Sequence, residues 1–245
     1  MLLLITAAYQ VLYGISWYVY ALYFFVYSLM LFYGSYFVGS NFFFKVICSA
    51  DTDIKEIAIS FDDGPATSYT PQILNLLGEY NIKAAFFCIG NRIAGNEPLL
   101  AKLHADGHLV GNHSYSHHFW FDLFSAKKMY ADMEQMNQAI EKVIGLRPLL
   151  FRPPYGVTNP NLGKAIRRGN YTPVGWNIRS FDTVITDEKK LLTKVSKAVK
   201  PGAIVLFHDT SKTTLTILPI FIQQVLESGY KIVRLDQMLK LKAYA

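Results

Sequence analysis

From Met1 to Phe44 the chain carries no charged side chain, about twice the roughly 20 apolar residues that a helix needs to cross a bilayer. Uncharged runs of this length are rare in water-soluble cores. A secretory signal peptide is a poor fit, because the run lacks a basic leader and exceeds the usual apolar core of roughly 7–15 residues. Sixteen of the 36 aromatic side chains fall here, Trp17 among them, and such rings favour the membrane interface. Two geometries are compatible. One is a helical hairpin reversing around Val19–Phe25, where no Gly or Pro marks the turn. The other is a single tilted span with interfacial flanks.

After Phe44 the chain changes character. Lys45 is its first charged residue, and all 18 acidic residues lie at or after Asp51. A hydrophobic content of 51% with 17% charged residues excludes intrinsic disorder and collagen-like structure, and two cysteines exclude a disulfide framework. The net charge of +6 is not gathered into a Lys/Arg block, which argues against nucleic-acid binding. Lys45 and the cations beyond it bear only weakly on topology, since large domains translocate largely regardless of charge.

From about Cys48 short β-rich runs alternate with amphipathic stretches. Strands are predicted over Glu56–Phe61, Lys83–Gly90, His108–Gly111, Thr172–Ile178, Ala203–His208 and Tyr230–Leu235. Helices are predicted over Thr70–Tyr80, Glu97–Ala105, a long stretch capped by Ser125, Asn161–Arg168, Asp187–Val199 and Thr213–Ser228. In the long helix Met129, Met133, Met136, Ile140 and Val143 recur at helical spacing, and Gly145 and Pro148 end it. The alternation predicts parallel strands with crossover helices, either an open doubly wound sheet or a closed, distorted barrel. No glycine-rich phosphate fingerprint follows any strand, which argues against a Rossmann-type nucleotide site.

Polar residues cluster at the predicted carboxyl ends of strands, the functional rim of parallel α/β folds. Asp62 and Asp63 end the first, His113 and His117 follow the third, Trp176 and Asp182 attend the fourth, and His208 ends the fifth. Adjacent carboxylates in a strand point to opposite sides, so Asp62 and Asp63 are expected to do different work. His113 and His117 stand at i, i+4 and suit a divalent metal. His118 beside them leaves the ligand pair ambiguous, while His104 and His108 read as structural or solvent-exposed. One carboxylate and two imidazoles leave coordination positions open, as catalytic zinc sites do. Cys48 and Cys88 are too few for a thiolate site, and Cys88 reads as a buried apolar residue.

The strings SFDDGP, HSYSH, FRPPYG, GWNIRSFD and IVLFHD, in this order and rough spacing, resemble the polysaccharide deacetylases, the NodB-homology group also called carbohydrate esterase family 4. The resemblance covers about residues 54–239. It implies an α/β fold, a distorted (β/α) barrel, preceded here by an N-terminal transmembrane segment. It implies a metal site of Asp63, His113 and His117, with Zn2+ favoured and Co2+, Ni2+ or Mn2+ compatible. It implies Asp62 as catalytic base paired with Arg152, His208 as general acid oriented by Asp182, and the Tyr155 backbone N–H at the oxyanion. Trp176 and Leu206 would form the slot for the acetyl methyl group. A neighbouring Arg152 would keep Asp62 ionised.

The fourth motif departs from the family pattern. Arg179 replaces an acid and Thr183 replaces a Trp, while Asp182 is kept; this bears on substrate contacts and cleft shape. Ser60 stands where Thr is common. The expected organisation is a membrane segment over residues 1–47 and a catalytic domain over 48–245, at the cell membrane with the catalytic domain on the extracytoplasmic side. The expected partners are a glycan substrate and membrane lipid through residues 1–44. Expected is a hydrolase removing N-acetyl groups from amino sugars of a cell-envelope glycan such as peptidoglycan. Competing readings are a deacylase of a lipid-linked sugar, an O-acetyl esterase, and an inactive glycan- or metal-binding module.

Overall fold

The computed structural model describes Thr6, Gln10, Gly14 and residues 16–245. Helix α1, Trp17–Tyr36, holds 20 residues without a charge and stands almost wholly clear of the rest of the molecule. At 1.5 Å per residue it is about 30 Å long, the thickness of a bilayer's hydrocarbon core. It runs unbroken through Val19–Phe25, so the chain does not reverse there. The Thr6 and Tyr23 hydroxyls lie 3.2 Å apart, and the Tyr20 hydroxyl donates to Gln10 Oε1 at 3.4 Å. Gly14, between these pairs in the sequence, stands at φ +69°, a conformation glycine adopts at no steric cost.

The body is built from β1 Glu56–Asp62, α2 Thr70–Glu79, β2 Ala85–Cys88, α3 Glu97–Ala105, β3 Leu109–Asn112, α4 Ala126–Ile144 and β4 Leu150–Phe151. It continues with α5 Pro160–Gly169, β5 Thr172–Pro173, β6 Ile178–Arg179, α6 Glu188–Ala198, β7 Ala203–His208, α7 Lys212–Glu227, β8 Lys231–Ile232 and α8 Leu235–Leu239. The strands pair in parallel in the order β5-β4-β3-β2-β1-β7-β6, with β8 against the start of β1. The two edges of this order, β5 and β6, are consecutive in the chain. The segment predicted as one strand over Thr172–Ile178 is therefore two short ones, and Val174–Asn177 carries the chain from one edge to the other. That link curls the sheet into a distorted (β/α) barrel, one of the two predicted architectures.

Alternation along the strands separates two apolar layers. Ile57, Ile59 and Phe61 of β1 and Ala203, Val205 and Phe207 of β7 face the helices, with Ile73, Leu77, Leu191 and Phe221. Ala58, Ala85, Phe87, Leu109, Val174 and Ile204 form the inner layer. By the same alternation Ser60 and Asp62 of β1 share the inner face with Leu206 and His208 of β7. Ser125 caps α4 by accepting from the Lys128 N–H, and Gly145 ends it at φ +71°. Asn81 adopts φ +52° just past α2.

Residues 34–50 lie along the barrel. Ile47 exchanges hydrogen bonds with Pro173 and Gly175 at 3.0 and 2.9 Å, and Ala50 N–H donates to Gly202 O at 2.9 Å. The end of α1 is fastened as well: Ser35 O accepts from Thr158 N–H at 3.0 Å and Gly34 O from Thr158 Oγ1 at 2.8 Å.

Candidate active site

At the carboxyl end of the barrel Asp62 and His208 are register partners on adjacent strands, both on the inner face. Asp63 follows with φ +76°, and this turn out of the strand brings its carboxylate back beside its neighbour's. His113 Nε2 lies 3.7 Å from Asp62 Oδ2 and 3.7 Å from Asp63 Oδ1. The expected divergence of the two carboxylates is therefore lost: a left-handed residue breaks the strand alternation on which it rested.

The segment carrying the histidines is a turn, with Ser114 at φ +66° and His117 at φ +41°. The two rings lie 4.9 Å apart between centroids, and His117 Nε2 is 3.6 Å from Asp63 Oδ1. Ligating atoms of Asp63, His113 and His117 all fall within 4.8 Å of one another. The residues fit a divalent ion, since bonds of about 2.1 Å at tetrahedral angles separate ligand atoms by roughly 3.4 Å. His113 Nδ1 meets Arg152 O at 2.8 Å, which leaves Nε2 for the cluster, the arrangement that orients metal-binding imidazoles. Burial, reinforced by the His117 charge, pushes His113 down to about 3, and burial also lowers His117. Neutral imidazole is the ligating form. His118 is exposed and its Nδ1 accepts from the Trp120 N–H, so it stands outside the cluster. His108 is buried and accepts from the Ala84 N–H at 3.1 Å.

Arg152 joins the parts. Its fully buried guanidinium donates to Asp62 Oδ1 at 2.7 Å, Ser60 Oγ at 2.9 Å, Val174 O at 3.2 Å and Gly175 O at 3.0 Å. Ser60 passes its own proton to Val205 O at 2.9 Å. Burial raises the Asp62 carboxyl above its ordinary range, and Arg152 and His208 only partly offset this. Desolvation thus outweighs the expected lowering by Arg152.

Opposite, His208 Nδ1 meets Asp182 Oδ1 at 2.7 Å, and His208 N–H donates to Asp182 Oδ2 at 2.7 Å. Ser180 Oγ and Thr214 Oγ1 also donate to Asp182. Burial alone would lower His208, but the Asp182 contact, aided by Asp62 and Asp63, lifts it to about 9. Burial opposes ionisation of Asp182, and its hydrogen bonds from His208, Thr214 and Ser180 reverse that, leaving it below the usual range.

Tyr155 occupies the tight turn of FRPPYG at φ +59°, its ring 4.6 Å from His117's. Gly156 follows at φ +73°, where a Cβ would come within 2.7 Å of the Trp176 ring. Trp176 stands on the Val174–Asn177 link, half-buried, with the Arg152 guanidinium 5.6 Å from its ring centroid. Leu206 is buried on the inner face as register partner of Ser60.

Three supporting groups escaped the sequence reading. Asp132 on α4 accepts from the Tyr115 N–H at 2.7 Å and the Ser116 N–H at 3.2 Å, holding the histidine turn. Asn112 Oδ1 accepts from the Ser114 N–H at 2.8 Å, while its Nδ2 donates to Asn137 Oδ1 at 2.7 Å. Asn137 beside the methionine stripe of α4 was the available signal, a buried polar residue amid apolar neighbours. Asp209 lies against Gly64 and accepts from Thr70 Oγ1 at 2.5 Å; burial lifts it to about 7. Replacing Asn137 by Ala strands a buried Asn112 donor, so we expect about 1–3 kcal/mol of lost stability, read by denaturant unfolding.

The polysaccharide deacetylase family model matches residues 49–174, just over half of the chain. A peptidoglycan-N-acetylglucosamine deacetylase of Bacillus cereus is 34% identical over 193 residues, covering 77% of this chain and 90% of that protein. The peptidoglycan-N-acetylglucosamine deacetylase PgdA of Listeria monocytogenes is 32% identical over 184 residues; the match covers 75% of this chain and 39% of that longer protein. Among solved structures, a peptidoglycan N-acetylglucosamine deacetylase superposes with a TM-score of 0.77 at 25% identity, over 82% of this chain and 95% of that one.

Proposed function

The chain belongs to the polysaccharide deacetylase family, and from that premise we propose that it is a membrane-anchored, metal-dependent hydrolase. Its reaction is removal of N-acetyl groups from the amino sugars of a cell-envelope glycan, with peptidoglycan as the leading polymer. Residues 1–47 serve as the membrane segment and residues 48–245 as the catalytic domain, on the extracytoplasmic side. The observation that carries this reading is the pairing of Asp62 with His208 across adjacent strands beside the Asp63–His113–His117 cluster.

The net reaction is amide plus water giving acetate plus amine, and it needs a base, an acid and a place for developing negative charge. A divalent ion held by Asp63, His113 and His117, zinc foremost, would supply Lewis acidity and a lowered pKa for water. Asp62 takes the proton as water attacks the carbonyl carbon; its raised affinity for protons suits it to that work. Arg152 fixes the Asp62 carboxylate through Nη1. The Tyr155 N–H donates to the oxyanion, a contact that gains strength as charge develops. His208 enters protonated, held so by Asp182, and its Nε2 gives the proton to the departing amine. Trp176 and Leu206 enclose the acetyl methyl.

The test is acetate release by the full-length protein in detergent from N-acetylglucosamine oligomers, peptidoglycan and acetylated xylan, with zinc and with chelator. We expect metal-dependent acetate from the amino-sugar substrates and one divalent ion bound per chain. Asp63→Ala is expected to weaken that ion's binding by at least about tenfold, read by calorimetry. Acetate from xylan alone would turn the reading to an O-acetyl esterase, and a protein that binds no metal would refute it.

A further inference from the structure

Arg179, one of the two departures in the fourth motif, stands in a groove of about 380 Å³ between the end of α1 and β6. Tyr33, Tyr36 and Phe37 line one side, and Trp176, Phe181 and Arg179 the other. Lys194 lies behind this lining: its Nζ donates to Arg179 O, and both cations lie 4.8 Å from the Phe181 ring centroid. Among the described residues neither cation pairs with a carboxylate. Two unpaired like charges on one ring repel each other, and an anion in the groove relieves that repulsion.

The groove adjoins the catalytic centre. The Arg179 and Arg152 guanidinium carbons each lie 5.6 Å from the Trp176 centroid, so the groove and the cation paired with Asp62 share one indole. The groove also adjoins the membrane helix, whose end is tied to Thr158 three residues beyond Tyr155. The loops around the mouth are apolar and open to solvent. Phe119, Trp120 and Leu123 follow His117 at 68%, 55% and 70% exposure, and Val184 follows Asp182 at 74%. Phe119 and Trp120 offer faces to a sugar ring, while Leu123 and Val184 offer none and suit the acyl boundary of a bilayer.

We propose that this groove binds an amino sugar carried on a lipid through a phosphate, so that the enzyme acts on a lipid-anchored form of its glycan at the membrane surface. The inference rests on the deacetylase reading. In a 2-acetamido sugar the acetamido group and the anomeric phosphate leave adjacent ring carbons. An acetamido group beside Trp176 therefore keeps the phosphate close by, within reach of the Arg179 guanidinium on the same indole, and its lipid beside α1.

The test uses the full-length protein in phosphatidylcholine vesicles with three probes: N-acetylglucosamine linked through phosphate to a polyprenyl chain, N-acetylglucosamine 1-phosphate, and the neutral N-acetylglucosamine tetramer. We expect kcat/KM to fall in that order. In Arg179→Ala the ratio of the lipid-linked probe to the tetramer should drop about ten- to hundredfold, the range for losing one charged hydrogen bond. A tetramer preferred over both phosphates, or a ratio unmoved by the substitution, would overturn the subsite and leave the deacetylase reading standing. Inhibition by phosphatidylglycerol vesicles equal to that by the sugar phosphate would make Arg179 a headgroup contact and likewise overturn it. Acetate from none of the probes would refute the deacetylase reading instead. Tryptophan fluorescence then decides the subsite: binding of the lipid-linked probe weakened in Arg179→Ala sustains it, and no binding overturns it.

Discussion

Asp62→Asn is expected to lower kcat for acetate release about 10²- to 10⁴-fold, the usual contribution of a positioned general base. The amide nearly matches the carboxylate in shape and can still accept from Arg152 Nη1, now 2.7 Å from Oδ1. It cannot accept the proton that attacking water must lose. Metal binding should survive, since the three-residue cluster uses Asp63 and not Asp62. Stability should fall by less than the roughly 3–5 kcal/mol that accompanies outright removal of one partner of a buried ion pair. The cost arises because Arg152, fully buried, keeps its charge against a neutral acceptor. Steady-state acetate kinetics, metal content and thermal unfolding of one preparation separate these effects. A variant within tenfold of the parent would remove Asp62 from the role of base. Loss of the metal along with activity would instead make it a ligand, a distinction worth drawing because His113 Nε2 is 3.7 Å from both neighbouring carboxylates.

Much of this site was legible because the chemistry sits at strand ends and strand ends are marked by composition. Ala203–His208 and Glu97–Ala105 form as predicted, residue for residue, and the Ser125 cap and Gly145 stop of the long helix follow from their local chemistry. Failures came where geometry departs from periodicity. Thr172–Ile178 reads as one strand, but Gly175 packs against Cys48, Val38 and Val46. The chain there crosses between sheet edges instead of continuing a ladder. Leu150–Phe151 is too short to announce itself. Asp63 shows the same limit at the scale of one residue, because its turn at φ +76° overrides the alternation that would have separated the carboxylates. The Asn112–Asn137 pair and Asp132 depend on α4 packing over the histidine turn, contacts between residues some 20 positions apart that local pattern does not encode. The site residues stand out by type, and their supports by tertiary contact.

Asp182→Asn is expected to move the alkaline limb of the activity profile by more than two pH units toward acid. In the proposed mechanism His208 is protonated when the amine departs, and in the parent it stays so up to about 9. Two opposed influences dominate that value, with Asp62 and Asp63 adding to the second. Burial favours neutral imidazole, and the Asp182 carboxylate at 2.7 Å from Nδ1 favours imidazolium. With Asn at position 182 burial remains and its main counterweight is gone, leaving the smaller pull of Asp62 and Asp63, so His208 should titrate near its ordinary pKa of about 6.5. At pH 8 the protonated fraction, and with it kcat/KM, should fall about 30-fold, and the deficit should shrink as the pH is lowered through 6. A purely structural defect would depress the rate equally at every pH. The same pair predicts a stability signature. A histidine raised in the fold contributes fully below its unfolded pKa of about 6.5 and loses that contribution as pH rises through about 9. The lowered Asp182 works in the other direction, contributing above its unfolded pKa of about 3.8 and losing it in acid. A shift from 6.5 to about 9 corresponds to something on the order of 3 kcal/mol. The parent should therefore lose thermal stability between pH 7 and 9.5, and Asp182→Asn should show a flatter dependence over that window. If both proteins share one alkaline limb, Asp182 does not control the proton on His208, and the general acid must be sought elsewhere at the mouth.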